Sequence, residues 1–124
     1  MSKSSQKILD TLPECPVETT LALIGSKWQT LILRDLLANE VMRFKELQRS
    51  VGGISQKVLT FNLRTMEEHG IIHREVFAEV PPRVEYSLTP LGKSLQPIIE
   101  AMRIWGESYK VATAPRLANT SEPR

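Results

Sequence analysis

The chain has 124 residues, of which 41% are hydrophobic and 24% are charged, and its formal net charge is +2. This length suits one domain with its own hydrophobic core, and the composition is typical of an ordinary globular protein rather than a disordered or membrane-embedded one. No apolar run is long enough for a transmembrane helix or a signal segment, so we expect a cytoplasmic protein that does not enter a membrane.

The motifs that usually reveal an enzyme or a cofactor site are missing from the sequence. It contains no glycine-rich phosphate loop, no nucleophile elbow and no pair of carboxylates at a suggestive spacing. The single cysteine, Cys15, excludes a cysteine-rich zinc site, and His69 and His73 belong to no metal-ligand pattern. The expectation is therefore a non-enzymatic protein that needs neither a metal ion nor an organic cofactor.

The N-terminal third predicts a polar leader and two helices. Residues 1–12 have the composition of a leader. Pro16 suits a first helical position, and the apolar residues after it repeat at helical spacing up to Gly25. Ser26 and Gln29 have the spacing of a capping box, so a second helix begins there. That helix is apolar on nearly every side, which predicts a place in the centre of a domain.

Two further helices follow, with a short glycine-containing turn between them. Residues 44–51 show the apolar spacing of a short helix that ends at a pair of glycines. Ser55 can cap the first turn of the next helix, and Gly70 marks its end, because glycine commonly adopts the left-handed conformation there. This arrangement is typical of a helix-turn-helix motif, whose second helix contacts base edges in DNA.

The second helix of this pair has two chemically different faces. At about 100° per residue, Leu59, Leu63 and Met66 fall on one side and predict a core face. Cations, a hydroxyl group and an aromatic ring fall on the opposite side: Lys57, Thr60, Phe61 and Arg64. Such a mixture suits the bases and phosphates of a major groove, and an ordinary solvated face is the alternative interpretation.

A predicted β-hairpin comes next in the chain. Residues 71–77 and 84–88 are strand-like runs, and the segment 78–83 between them contains two prolines and ends at Arg83. Residues 41–43 can form a short strand that pairs with this hairpin. A helix followed by a hairpin with a basic tip is the order of a winged helix-turn-helix. The predicted fold class is therefore α+β, mainly α, a winged helix-turn-helix with a two-stranded wing.

The C-terminal part predicts one long helix from Pro90 to about Tyr109, with a kink at Pro97. One face of this helix is continuously apolar, over Leu91, Leu95, Ile98, Ile99, Met102, Trp105 and Tyr109. We expect a second copy of the chain to cover this stripe, and the alternative is that it packs on its own domain. The residues expected in the dimer contact are Ile98, Met102, Trp105 and Tyr109. The folded domain would then span residues 13–111, and residues 112–124 would form a flexible tail.

Five short motifs within residues 14–110 resemble one known family. They read CPVE at 15–18, IGSKW at 24–28, RFKEL at 43–47, ISQKVL at 54–59 and PPRVEYSLT at 81–89. In this order and spacing the chain resembles the HxlR-type winged-helix transcriptional regulators, which are related to the MarR-type regulators. The resemblance implies a homodimer, held together by N- and C-terminal dimerisation helices. This dimer would bind double-stranded operator DNA, repress or activate nearby genes, and respond to a small molecule or an oxidant. A two-fold dimer further predicts an inverted-repeat operator.

The resemblance also implies particular DNA contacts. Carried over by position, they are Ser55, Gln56, Lys57, Thr60 and Arg64 in the major groove and Arg83 at or beside the wing. Arg43 and Lys45, from the RFKEL motif, complete the predicted DNA-binding set. Phe61 departs from the family, because many relatives carry a polar residue such as glutamine there. A phenyl ring cannot read hydrogen-bond donors and acceptors, but it can pack against a thymine methyl group.

Cys15 has two open interpretations. Some relatives of this family sense oxidants or electrophiles through a cysteine near the N-terminus, a position that Cys15 matches. Unpaired amides at a helix start favour a reactive thiolate, whereas Glu14 and Glu18 oppose it, and a lone cysteine is commonly a small buried hydrophobe. For the whole protein, the alternative function is that of a winged-helix module that binds another protein without binding DNA.

Overall fold

The structure of the protein is a computed structural model that describes the backbone of residues 11–118 and the side chains of residues 11–114. The chain forms two compact units, one that ends at Ser94 and one that begins at Leu95. Most of the predicted leader, residues 1–12, lies outside the described residues. Within those residues the secondary structure is mainly helical, with one small antiparallel sheet, which is the predicted class.

The elements of the first unit are, in chain order, α1 (Pro16–Ile24), α2 (Lys27–Ala38), β1 (Met42–Arg43), α3 (Phe44–Val51), α4 (Gln56–Glu68), β2 (Ile72–Phe77), β3 (Arg83–Leu88) and α5 (Pro90–Lys93). The second unit consists of α6 (Gln96–Ala118). Helix α2 contacts α3, α4 and β3, so it lies at the centre of the first unit, as its apolar sequence predicted.

The core of the first unit joins the three central helices to the sheet. Its fully buried large side chains are Ile32, Leu33, Leu47, Leu59, Leu63, Met66 and Ile72. Burying an aliphatic side chain of this size contributes about 1.5 to 3 kcal/mol relative to leaving it in water. Three of these seven residues come from α4, so this helix is anchored along its length.

Both ends of α4 are set by the residues that predicted them. The Ser55 hydroxyl oxygen accepts a hydrogen bond from the Val58 amide at 3.2 Å, which satisfies a first-turn donor. At the other end Gly70 has a φ of 76°, in the left-handed region. The Ile71 amide then donates to the Met66 carbonyl at 2.9 Å, so the chain leaves the helix in a defined direction.

The sheet has the strand order β1-β3-β2, with both pairs antiparallel. Met42 and Arg74 both lie opposite Tyr86, so these three residues form one row on one face of the sheet. Arg83 was predicted in the turn, but it is the first residue of β3 and pairs with Phe77. The Arg83 guanidinium packs over the Phe77 ring, with its central carbon 4.0 Å from the ring centre. This cross-strand contact favours one more residue pair at the end of the hairpin.

The C-terminal region differs from its prediction in two respects. The single helix from Pro90 is interrupted after Lys93, and α6 begins at Gln96. Pro97 therefore occupies the first turn of α6, where its missing N–H needs no partner in the helix, and the disruption predicted as a kink is a break between two helices. Helix α6 also continues to Ala118, so the predicted boundary at residue 112 falls inside it.

Helix α5 packs closely on the chain that leaves α4. The Thr89 hydroxyl donates to the Gly70 carbonyl at 2.6 Å and accepts from the Gly92 amide at 3.0 Å. A Cβ atom at Gly92 would lie 2.2 Å from the Ile71 carbonyl oxygen, closer than two such atoms can approach. Glycine at position 92 is therefore a packing requirement.

We expect Gly92→Ala to lower the free energy of unfolding by about 3 kcal/mol, because the Ile71 carbonyl and the new methyl group cannot both keep their positions. Gly70→Ala is the matched control. Its Cβ would have open space, with Leu91 as the nearest atom at 4.0 Å, and only the left-handed φ is unfavourable. We expect a loss of about 1 to 2 kcal/mol there. Urea unfolding followed by circular dichroism measures both, and equal losses would contradict the packing argument.

Candidate nucleic-acid interface

The turn between α3 and α4 holds the two helices of the predicted reading motif. Gly52 and Gly53 have φ values of 76° and 71°, which glycine adopts without the strain that a side chain would bring. The Gln48 side-chain amide donates to the Ile54 carbonyl at 3.2 Å and ties α3 to the start of α4. A short turn of fixed conformation therefore sets how α4 leaves α3.

The inner face of α4 is buried as predicted, over Leu59, Leu63 and Met66. Asn62 is buried with them, which the sequence pattern did not predict. Its side-chain nitrogen donates to the Val58 carbonyl at 2.8 Å, so the polar group is satisfied within the helix itself. The amide that could otherwise contact a base is turned away from the outer face.

The outer face of α4 brings together most of the predicted DNA-binding residues. Five of them line one open hollow: Gln56, Lys57, Thr60, Phe61 and Arg64. Phe61 is 69% exposed, and Lys57 and Arg64 are also exposed. Ser55 stands just before this face, and its hydroxyl oxygen serves as the helix cap. A helix with this surface has the width and the chemistry that a major groove admits.

The threonine hydroxyls on α4 are already engaged with the helix. The Thr60 hydroxyl donates to the Gln56 carbonyl at 2.8 Å, and the Thr65 hydroxyl donates to the Phe61 carbonyl at 2.9 Å. Each oxygen can still accept a hydrogen bond, but its hydrogen is committed. The donors of the hollow that keep no such bond to the helix backbone are the side chains of Gln56, Lys57 and Arg64.

Both cations on the outer face of α4 are free of carboxylates. In the part of the chain that the structure describes, neither Lys57 nor Arg64 has a carboxylate within 4.0 Å. Arg43 on β1 and Lys45 in the first turn of α3 are also exposed, but they do not belong to the α4 hollow. The predicted set thus divides into a group that shares one surface and two basic positions outside it.

A second cleft lies between α4 and the sheet and includes a residue that was not predicted as a site. Its volume is about 420 Å³, and it is lined by Thr60, Leu63, Arg64, Glu67, Glu68, Arg74 and Tyr86. Nε of Arg74 lies 3.5 Å from the Glu67 carboxylate and links the wing to the end of α4. Burial raises the pKa of Tyr86, and the positive charge of Arg74 partly opposes this. Arg74 shares a face of the sheet with Tyr86 because the two residues are cross-strand partners, and the sequence pattern of β2 alone does not identify it.

Arg83 differs from the other predicted arginines, because the wing neutralises its charge. Its guanidinium nitrogens lie 3.3 Å from the Glu79 carboxylate and 3.4 Å from the Glu85 carboxylate. The side chain also covers the Phe77 ring and is only 29% exposed. A phosphate would therefore have to compete with two carboxylates for this arginine.

The predicted dimer residues on α6 form an exposed apolar surface. They are Ile98, Met102, Trp105 and Tyr109. Trp105 is 68% exposed and stacks on Tyr109, with ring centres 5.3 Å apart and planes 15° from parallel. Such a surface on one chain is typical of a contact with another chain.

Cys15 is a free and exposed cysteine immediately before α1. Its exposure contradicts the interpretation of a small hydrophobe buried within its own domain. Val17 and Leu21, two of the apolar residues that predicted α1, are also exposed, whereas Ile24 is buried. The start of α1 is therefore a second apolar surface with a thiol at its edge.

The helices α3 and α4 followed by the β2–β3 hairpin define a winged helix-turn-helix fold. Among residues 11–118, no helix combines the length and the hydrophobicity needed to cross a membrane. The class of protein that this fold and this surface define is a nucleic-acid-binding regulator.

Comparison with known proteins shows the family. Residues 23–114 match the family described as HxlR-like helix-turn-helix. The HTH-type transcriptional regulator YdeP of Bacillus subtilis is 48% identical over 101 residues, which cover 82% of this chain and 78% of YdeP. An HTH-type transcriptional regulator of Methanothermobacter thermautotrophicus is 47% identical over 95 residues, which cover 77% of this chain and 72% of that protein. The chain belongs to the HxlR-like helix-turn-helix family of transcriptional regulators, as its motifs predicted.

Solved structures agree with this assignment. The redox regulator HypR in its reduced form is 44% identical, with a TM-score of 0.76, and the match covers 82% of this chain and 99% of HypR. The oxidised form of HypR gives a TM-score of 0.71 at 48% identity, over 76% of this chain and 96% of HypR. The predicted winged-helix fold and the predicted family are confirmed.

We expect Glu79→Gln/Glu85→Gln to tighten binding to duplex DNA of any sequence, because Arg83 would become free to contact a phosphate. The slope of log affinity against log salt concentration should steepen by about one. Fluorescence anisotropy with a short labelled duplex over a series of salt concentrations measures this.

The matched control is Glu100→Gln/Glu107→Gln, which makes the same change in net charge. Arg103 on α6 is hydrogen-bonded to both of these carboxylates and lies outside the predicted DNA-binding set. If both double variants show the same increase in DNA affinity over the wild type, the effect comes from net charge and not from the release of Arg83.

Proposed function

We propose that this protein is a dimeric transcriptional regulator that binds an inverted repeat in double-stranded operator DNA through α4. It acts by binding and not by catalysis, without a cofactor and away from membranes, in the cytoplasm where bacterial DNA lies. The observation that carries the proposal is the outer face of α4, where cations without carboxylate partners and exposed polar groups share one hollow. The family supports it, since its members are transcriptional regulators.

The side chains of this face suggest a division of roles. The Gln56 amide can bond an adenine edge, and Arg64 or Lys57 can bond a guanine edge or a phosphate. Thr60 and Ser55 can add hydrogen bonds through the lone pairs or hydrogens that they retain. Arg43, Lys45 and, after release from its glutamates, Arg83 are suited to phosphates, which position the protein without reading sequence. This assignment makes α4 the source of specificity.

Arg64→Ala and Lys57→Ala should each weaken operator binding by about 1 to 3 kcal/mol where the contact is a bidentate one to a base, and should relax specificity at that base pair. The probe is a set of fragments from the promoter beside the gene of this protein, in a mobility-shift titration. Lys110→Ala, an exposed lysine on α6, is the control and should leave affinity unchanged.

The same titration distinguishes the proposed regulator from the alternative function, a winged-helix module that binds another protein without binding DNA. A regulator that makes several phosphate contacts loses affinity steeply as salt rises, whereas a module that binds only another protein shows no such dependence on DNA fragments. Wild-type affinity in both α4 variants would overturn the placement of the interface.

The dimer is proposed from the exposed apolar stripe of α6 and the exposed apolar start of α1. An isologous contact would cover both copies of a stripe at once, and stacked aromatic rings such as Trp105 and Tyr109 suit the centre of such a contact. A two-fold axis would place two reading helices about 34 Å apart, one turn of DNA. The inverted-repeat operator follows from this symmetry.

Ile98→Asp is expected to convert the dimer to monomer at micromolar concentration, because the contact would then bury an unpaired carboxylate. Trp105→Ala should weaken the dimer by roughly 3 kcal/mol if the ring is fully packed. Ile104→Asp makes the same chemical change about 120° away around the helix and serves as the control. Sedimentation velocity measures all three, and a monomeric wild-type protein at micromolar concentration would refute the proposal.

An oxidant is the proposed effector, with Cys15 as its target, and a small molecule is the second possibility. The support is the exposed thiol and the presence of a redox regulator among the similar structures. With one cysteine in each chain, oxidation must join Cys15 to the thiol of the second copy or to a small thiol. Joining two thiols forms one S–S bond and releases two electrons and two protons, which the oxidant takes up. A bond at this position would act on α1 and so on the dimer.

Diamide is expected to change the operator affinity of the wild-type protein, and dithiothreitol should reverse the change, because the bond at Cys15 alters the dimer. Cys15→Ser should not respond. The readout is a mobility-shift titration, with non-reducing electrophoresis to detect the linked dimer. If diamide has no effect on the wild type, or affects both proteins equally, Cys15 is not the sensor and a small molecule is favoured.

A further inference from the structure

The α4 face has an aromatic ring at its centre that no part of the described domain covers. Phe61 is 69% exposed, although a phenyl ring is less favourable in water than buried in apolar surroundings. Lys57, one turn earlier, and Arg64, one turn later, flank it in the hollow that all three share. An apolar protein patch would have to bury these two charges next to the ring. The major groove of DNA meets the ring and the charges with groups that suit both.

Few polar groups near Phe61 are free to form hydrogen bonds with base edges at this position. The hydroxyl hydrogens of Thr60 and Thr65 are committed to backbone carbonyls. The Asn62 amide is buried and bonded to Val58. At the middle of the face the surface therefore offers a ring and threonine oxygens, and what a ring distinguishes on a base edge is an apolar group.

In the major groove that apolar group is the C5 methyl of thymine, which guanine, adenine and cytosine lack. Phe61 is the sixth residue of α4, so it lies about 7.5 Å from the helix start, within the N-terminal part that contacts bases in helix-turn-helix proteins. We infer that Phe61 is a specificity-determining residue that packs on a thymine methyl group and fixes an A·T pair in each half of the operator. The inference rests on the proposed function of α4 as the reading helix.

The experiment begins by finding what the full-length protein binds. Wild-type protein selects from a library of random duplexes made with thymidine, and the enriched sequence is then synthesised with uracil in place of thymine at one position at a time. Uracil pairs as thymine does and differs only by the missing methyl group. At the position that Phe61 contacts, the loss should be about fourfold for one half-site, and about fifteenfold when both half-sites carry uracil. Thymines elsewhere in the same duplex are the internal control.

Two variants identify the residue that contacts the methyl group. Phe61→Leu keeps an apolar contact and should retain part of the uracil effect, whereas Phe61→Gln should lose it and bind thymine and uracil duplexes equally. Both changes are at an exposed position, and circular dichroism checks the fold. If no uracil substitution affects the wild type, or if Phe61→Gln shows the full uracil effect, the inference is wrong while the proposed function stands. If the wild type enriches no duplex, the proposed function fails and this inference fails with it.

Discussion

The burial of one side of α4 is the constraint on which the interface depends. Leu59, Leu63 and Met66 are held in the core, and each contributes about 1.5 to 3 kcal/mol through burial. Three anchors spread over about two turns fix the rotation of the helix about its own axis. A slip of one residue would turn the surface by about 100° and bring core side chains to the outside. The direction of Arg64 and Phe61 is thus determined by residues that never meet DNA.

The placement of carboxylates decides where the positive charge of the domain is available. Arg74 is paired with Glu67, and Arg83 is held by two glutamates of the wing. Exposed ion pairs of this kind add little to stability, so their main effect is on the electrostatic surface. They do not involve Lys57 and Arg64 on the outer face of α4, which keep their positive charges without a carboxylate neighbour. A net charge of +2 for the whole chain conceals this distribution.

Local signals in the sequence predicted most of the fold, and the failures are features that the apolar and charge patterns do not show. The caps at Ser55 and Gly70, the two faces of α4 and the hairpin all depend on neighbours within a few residues, and the pattern contains those neighbours. The break before α6 was predicted only as a kink at Pro97, because the sequence pattern does not show that the chain starts a new helix at Gln96. The apolar stripe simply continues across the break.

The candidate site shows the same division. Residues on one helix face were grouped correctly from their spacing, since 100° per residue places them together. The ion pairs of Arg83 with Glu79 and Glu85 were missed. A basic residue in a predicted turn is expected to be free to bind a phosphate unless its neighbours in space are known. Arg74 was missed for the opposite reason, since only the sheet brings it beside α4.

The neutralised wing has a consequence for how such a regulator finds its operator in a whole genome. Binding to random DNA depends almost entirely on phosphate contacts, and each arginine withheld from phosphates lowers it. Under the proposed function, a wing arginine held by glutamates therefore reduces the fraction of molecules bound to the millions of competing sites. Fewer copies of the protein are then needed to keep one promoter occupied. By weakening binding to DNA of any sequence, the two glutamates would lower the number of protein molecules that a cell needs.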